Sequence, residues 1–216
     1  MFLEKHSYPA EVIVVENGST DGTLQIARVL AARHANLTVI HEDLRGKGNA
    51  VRSGMLAARG EYRFICDADL SMPIEELQKF LPPQLADFDI AIGSREAVGA
   101  VRYNEPSYRH LGGRAINLLI RLFILPGLND TQCGFKCFRA ATTTGLFQQQ
   151  TLTGWSFDFE ILYLARRKGL QIKEIPIQWY FDADSKVNAV RDALRMIGDI
   201  FRIHANALRG RYDLKP

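Results

Sequence analysis

Apolar and polar positions alternate between two rhythms through the first 95 residues. EVIVV (11–15) is a compact β-branched run, and TDGTLQIARVLAARH (20–34) follows it with Leu24, Ala27, Val29 and Leu30 at helical spacing. LTVIH (37–41) again reads as a strand, KGNAVRSGMLAAR (47–59) as a helix stopping at Gly60, and YRFIC (62–66) as the next strand. A helix from Pro73 to about Leu81 and a strand FDIAIGSR (88–95) complete this half. Continuous apolar strands separated by helices predict an α/β fold, a mostly parallel sheet covered on both faces. The second half is less regular. Residues 106–125 predict an apolar helix ending at Pro126-Gly127, GFKCFRA (134–140) a short strand, and SFDFEILYLARRKG (156–169) a helix closed by glycine. IKEIPIQWYF (172–181) predicts a final strand, and an amphipathic, basic helix from about 187 to 207 closes the chain.

The 216 residues, 47% of them hydrophobic, suit one domain over 1–216 with a substantial core. A formal charge of +3 is too small for bulk nucleic-acid binding, so no nucleic-acid partner is expected. The basic residues are unevenly placed. Between Lys186 and Pro216 seven Lys or Arg stand against three Asp, and Arg95, Arg102, Arg109, Arg114 and Arg121 punctuate an apolar middle segment. That pattern suits a local anion or an anionic membrane surface. Three cysteines without framework spacing predict buried or semi-buried thiols in a reducing compartment, and five scattered histidines form no zinc motif. The best apolar stretch, INLLIRLFIL (116–125), is short and interrupted by Arg121, so no bilayer span is expected.

Candidate chemistry begins with carboxylates two apart. Such a spacing on a strand turns both to one side, which suits a hard divalent cation. Three pairs have it: Asp67 and Asp69, Asp87 and Asp89, Asp182 and Asp184. Ligands of open α/β sheets bind beyond the carboxyl ends of strands. Asp67 and Asp69 follow YRFIC at that end, whereas Asp87 and Asp89 straddle the amino end of their strand and Asp182 and Asp184 lie in a loop. The bland alternative for the first pair is an acidic cluster at a helix start before Pro73.

Four segments fall on one predicted edge: ENGSTDGT, RGKGN, DADLS and GSR. Together they resemble the family 2 glycosyltransferases with a GT-A fold. DTQCGFK (130–136), FDFE (157–160), EIPI (174–177) and DSK (184–186) further resemble the polyprenyl-phosphate branch, most closely the dolichyl-phosphate β-glucosyltransferases. The resemblance implies inverting transfer of a hexose from a nucleotide sugar, UDP-glucose ahead of GDP-mannose, to a polyprenyl phosphate. It implies Mg²⁺ or Mn²⁺ at Asp67 and Asp69 with Ser71 contributing an oxygen, and donor contacts from Glu16, Asn17, Lys47, Asp67 and Ala68. Asn17 stands where the family usually has a second aspartate, and a solvated loop lysine is the plain alternative for Lys47. Arg95, Arg109 and Lys186 match acceptor-phosphate positions, with Arg114 either helping or anchoring the chain to an interface. Asp69, Asp158 and Arg95 are the implied catalytic set. Asp158 falls where relatives with hydroxyl acceptors keep a base; Glu160 is expected in a salt bridge, and Asp130 either shapes the site or caps a turn.

The resemblance divides the domain into a nucleotide-sugar half (1–95) and an acceptor half (96–216). It implies a peripheral position on the cytoplasmic face of a membrane. Family members open with a further strand and a Pro-x-x-Asn-Glu loop. Here ten residues precede Glu11, MFLEKHSY matches the helix after that loop, and the first family strand, expected between EVIVV and YRFIC, is absent from this sequence, which implies either a start that lies upstream or a rearranged sheet edge with a weakened donor pocket. Two other readings remain: a hydroxyl acceptor with Asp158 as base, and a non-catalytic module that binds nucleotide or membrane.

Overall fold

The computed structural model describes residues 2–5, 9–69, 71–182 and 189–213, with the side chains of 4, 107–111, 115 and 189–192 also left aside. The first half runs β1 (Val12–Glu16), α1 (Thr23–Ala31), β2 (Leu37–His41), α2 (Lys47–Ala57), β3 (Tyr62–Cys66), a 3-10 segment (Ile74–Phe80) and β4 (Ile90–Ser94). The second runs β5 (Val101–Tyr103), α3 (Ser107–Phe123), β6 (Phe135–Arg139), α4 (Ala140–Gln149), α5 (Phe157–Arg167), β7 (Ile172–Pro176), β8 (Gln178–Tyr180) and α6 (Ala189–Leu208).

The strands form three sheets rather than one. β1 and β2 pair in parallel, β5 and β8 pair in parallel, and a four-stranded sheet has the order β3-β6-β4-β7. Among the described residues no ladder joins β1 to β3; a tie between them is the Glu11 carboxylate, which accepts hydrogen bonds from the backbone of Arg59 (2.6 Å) and Gly60 (3.0 Å). The four-stranded sheet is mixed, because β6 runs antiparallel to both β3 and β4 while β4 and β7 are parallel.

The structure departs locally from the periodicity at three places. The expected helix at 73–81 is a 3-10 segment. The run 172–181 divides into two strands at Ile177: Pro176, which has no N–H to extend a ladder, closes β7, and β8 turns to pair with β5, where Tyr103 stacks on Tyr180 at 4.4 Å. Helix α4 is unannounced by AATTTGLFQQ, which carries three consecutive β-branched threonines and a glycine. It forms with the hydroxyls of Thr143 and Thr144 bonded back to carbonyls four residues earlier, at 2.7 and 2.8 Å.

The central strands are buried on both faces, and their side chains sort by the period of two. Ile90, Ile92 and Phe138 join the larger core under α2 to α6, while Ala91, Phe135 and Cys137 join a second core with Phe80, Phe88 and Ile177. Cys133 and Cys137 are buried as expected, but Cys66 is exposed at the end of β3. Lys136 falls on the larger-core side of β6 with 1% of its surface exposed. A charge so placed requires a counter-ion. Because β6 is antiparallel, it starts where β3 and β4 end: Cys66 is opposite Phe135 and Ile92 is opposite Lys136. The segment leading into β6 therefore arrives at the same edge as DADLS and GSR.

Candidate active site

Lys47, the first residue of α2, extends to Asp67 after β3 and donates from Nζ to Oδ2 at 2.8 Å. Its ammonium also lies 4.8 Å from the centre of the Trp155 ring. Lys136 makes a second pair within the same cluster, donating to Asp158 Oδ1 at 2.6 Å and to the Cys133 carbonyl. The two pairs are within electrostatic reach of each other. Burial opposes the charge on Lys47, yet Asp158 and then Asp67 outweigh it and hold the ammonium above the usual lysine range. Burial pushes the Asp158 carboxyl upward, against the pull of Lys136 and Lys47, and Asp67 adds to the rise.

Close backbone approach makes this cluster possible. A Cβ on Gly134 would overlap the Asp67 carboxylate, so only glycine leaves room for it. Gly46 has φ +136°, and a side chain there would meet the Thr153 carbonyl. Gly48 donates its N–H to that carbonyl at 2.8 Å, which fixes the start of α2 against residues 150–154. Glu160, expected in a salt bridge, instead ties that loop: it accepts from the backbone N–H groups of Thr151 (3.1 Å) and Leu152 (2.8 Å) and from the Tyr212 hydroxyl (2.7 Å).

Asp69 is exposed, with Oδ1 accepting the Ser71 N–H at 2.9 Å. Ala68 beside it is also exposed. Ser71 is buried and its carbonyl accepts the Tyr180 N–H at 2.7 Å. Among the described residues no group of three or more His, Cys, Asp or Glu side chains gathers as a metal cage. Asp67 and Asp69 nevertheless supply hard carboxylate oxygens at this edge, the donor type a divalent cation takes, and Gly134 leaves the room that the Asp67 carboxylate occupies.

Glu16 and Asn17 stand at the end of β1, but their polar groups face the protein. Glu16 is buried, accepts from the Ser19 N–H and meets His41 Nδ1 at 2.5 Å; the Ser19 contacts first, then His41, hold its carboxyl below the usual range. The Asn17 side chain accepts from Gly46 N–H at 2.6 Å and donates to the carbonyls of Glu42 (3.2 Å) and Leu44 (2.6 Å). It thus shapes the RGKGN loop that carries Lys47.

On the other side, Arg95 forms a fork with Asp130: Nε to Oδ2 at 2.6 Å, a second guanidinium nitrogen to Oδ1 at 2.9 Å, and its own N–H to Oδ2 at 3.0 Å. Asp130 is fully buried, and although burial alone would raise it, Arg95 brings its carboxyl down to about 2. Glu174 fixes the aspartate by accepting the N–H groups of Asn129 (2.9 Å) and Asp130 (2.9 Å). The Arg95 guanidinium lies 5.4 Å from the Trp179 ring centre, with Arg102 at 5.7 Å from it. Arg102 is itself paired with Glu96 and Glu105, both at 2.6 Å. Arg114 is exposed on α3; the side chain of Arg109, together with Asp184 and Lys186, lies outside the described residues. Asp89 accepts the Gln171 N–H at 2.8 Å, a connection remote from the edge where Asp67 lies.

Residues 130–136 join the two sides: Asp130 receives Arg95, Gly134 admits Asp67, and Lys136 holds Asp158. Cys133 between them has a thiol pushed up to about 12 by burial first, with Asp130, Arg95 and Lys136 all within electrostatic reach. Periodicity alone did not single out Lys136, Gly134, Glu174 or Trp155. A lysine inside the apolar run FKCFR was the available signal, since a buried ammonium demands an acid elsewhere.

A family model described as glycosyl transferase family 2 matches residues 2–144. A dolichyl-phosphate beta-glucosyltransferase of Drosophila melanogaster is 34% identical over 99% of this chain and 70% of its own length. The enzyme of that name from Saccharomyces cerevisiae is 33% identical over 97% of the chain and 68% of its own, and that from Homo sapiens 30% identical over 99% and 71%. The chain thus spans about two thirds of these relatives' length, and 31% of a 37% identical glycosyltransferase AglD from Haloferax volcanii. Among solved structures, mannosyl-3-phosphoglycerate synthase from Rubrobacter xylanophilus superposes with a TM-score of 0.67 at 20% identity, covering 99% of this chain and 68% of that one. Glucosyl-3-phosphoglycerate synthase from Mycobacterium tuberculosis, in complex with Mn²⁺, UDP and glucosyl-3-phosphoglycerate, gives 0.59 at 17% identity, over 95% and 70%.

Proposed function

Because the chain belongs to glycosyl transferase family 2, we propose that it is an inverting hexosyltransferase that moves glucose from UDP-glucose onto a polyprenyl phosphate. Residues 1–95 form the nucleotide-sugar half and 96–216 the acceptor half. The observation that carries this reading is the segment 130–136, which contacts the Asp67 carboxylate with one residue and the Arg95 guanidinium with another.

Asp67 and Asp69 would hold Mg²⁺ or Mn²⁺, which supplies positive charge to the diphosphate as it leaves. Lys47, at the amino end of a helix whose first N–H groups are polarised toward anions, meets the same diphosphate. Glu16 and Asn17 act one step back, holding the loops that shape the nucleoside pocket. The acceptor phosphate, ionised near neutral pH, attacks the anomeric carbon; the bond from that carbon to the diphosphate oxygen breaks, and UDP departs with its electron pair. Arg95, held rigidly by Asp130, presents its guanidinium to the phosphate, with Arg109 and Lys186 as further contacts by position in the sequence.

An acceptor hydroxyl would need Asp158 as its base. The bond from Lys136 to Asp158 Oδ1 favours the phosphate instead, since that oxygen is already engaged. The lipid is met by a face shared by α3 and α6, which pack together. Leu118, Leu122 and Phe123 on one helix and Leu194 and Phe201 on the other are more than half exposed, alongside Arg114, Arg121, Arg195 and Arg202. Exposed apolar side chains interleaved with arginines fit peripheral contact with an anionic leaflet; among the described residues no helix is long and apolar enough to cross a membrane.

The test incubates labelled UDP-glucose or GDP-mannose with polyprenyl phosphate and Mg²⁺ or Mn²⁺, and counts label extracted into organic solvent. Extraction of glucose label is expected. Label that stays in water with every donor, or that moves only to a hydroxyl acceptor and does so only with Asp158 intact, overturns it.

A further inference from the structure

We propose that Lys47 is a resident cation at the metal site: in the ligand-free enzyme its ammonium occupies the Asp67 carboxylate, and it is released when metal and nucleotide diphosphate bind together. The inference rests on the metal and nucleotide reading above and adds an order to it.

Three observations carry it. The Nζ of Lys47 is 2.8 Å from Asp67 Oδ2, so the oxygen that would face a cation already faces one. The contact is monodentate and part-exposed, with 18% of the lysine side chain and 28% of the aspartate side chain accessible, so it can exchange without unpacking the core. The local charges also balance. Lys47 and Lys136 offset Asp67 and Asp158, leaving the exposed carboxylate of Asp69 beside them. A divalent ion arriving alone would add two positive charges to a nearly neutral cluster, against the repulsion of Lys47. Arriving with a diphosphate, it adds almost none, and Lys47 exchanges a carboxylate for a phosphate as its partner.

Trp155 makes the release visible, since its ring lies 4.8 Å from the Lys47 ammonium. The experiment measures Mn²⁺ binding to the full chain without nucleotide, by the free-ion spin-resonance signal, for the native protein, Lys47→Met and Lys47→Arg. Lys47→Met is expected to bind Mn²⁺ about tenfold more tightly, and UDP with Mn²⁺ about tenfold more weakly; Lys47→Arg keeps the weak metal binding of the native chain. These opposite signs separate the proposal from a merely structural role, which would weaken both. In a Trp179→Phe background, UDP with diamagnetic Mg²⁺ is expected to change Trp155 emission, and the change is lost with Lys47→Met. Mn²⁺ binding that is unchanged or weaker in Lys47→Met overturns the inference alone, provided Asp69→Asn still abolishes binding. If Asp69→Asn leaves Mn²⁺ binding intact, the metal reading falls and this inference with it.

Discussion

Two ion-pair assemblies meet at one sheet edge and are built differently. On the Arg95 side, a bidentate fork closes on an aspartate with no exposed surface, and that aspartate is fixed in turn by Glu174. On the Lys47 side, single ammonium contacts bind carboxylates one oxygen at a time, and Asp67 keeps 28% of its side chain accessible. A guanidinium fork fixes direction, whereas a lysine on a flexible stem can change partner. The difference suits the chemistry proposed for each side: an acceptor phosphate needs a rigid docking direction, while the donor side must admit and release a charged diphosphate.

Removing the buried lysine tests the comparison most severely. Lys136→Met removes the ammonium that is hydrogen-bonded to the buried Asp158 and is expected to lower stability by about 3–5 kcal/mol in chemical denaturation. Combining it with Asp158→Leu, which removes the stranded carboxylate, is expected to restore most of the loss. A catalytic loss that persists in the stable double variant assigns Asp158 a share in the reaction.

Next in size is the effect on transfer. Asp69→Asn is expected to reduce glucosyl transfer by about 10²–10³-fold with little change in melting temperature, because the side chain is exposed. Gly134→Ala should reduce transfer comparably by displacing Asp67, and should also lower the melting temperature. Equal activity in Gly134→Ala and the native chain would remove Asp67 from the site.

A smaller effect sharpens the rigid side. Asp130 is lowered to about 2 from 3.8, so the folded state binds its proton less readily than the unfolded state. Its contribution, about 2 kcal/mol, is present above about pH 4 and is lost as pH falls toward about 2. In Asp130→Asn the stability should fall less steeply across that window, read from denaturation at fixed pH values. The smallest effect concerns neither pair. Phe123→Ser or Phe201→Ser should weaken binding to anionic vesicles about tenfold and leave stability within about 0.5 kcal/mol, since both rings are exposed.

Periodicity by itself determined most of the elements. The β-branched runs at 11–15, 37–41 and 62–66 and the apolar spacing of α1, α3, α5 and α6 are local properties, and a strand or helix with that pattern buries one face wherever it lies. The carboxyl-end rule also selected Asp67 and Asp69 among three similar pairs. What only the tertiary structure decided is long-range: the antiparallel insertion of β6, the division of 172–181 at Pro176, and the partners of each charge. Asn17 was legible as a polar residue after a strand, but not as the clamp on a loop 29 positions away. Lys136 was legible as a lysine in an apolar run, but its aspartate lies 22 residues further on, in a different element. Sequence records where charge and apolar surface occur; the cost of burying a charge, which decides its partner, arises only once the chain has packed.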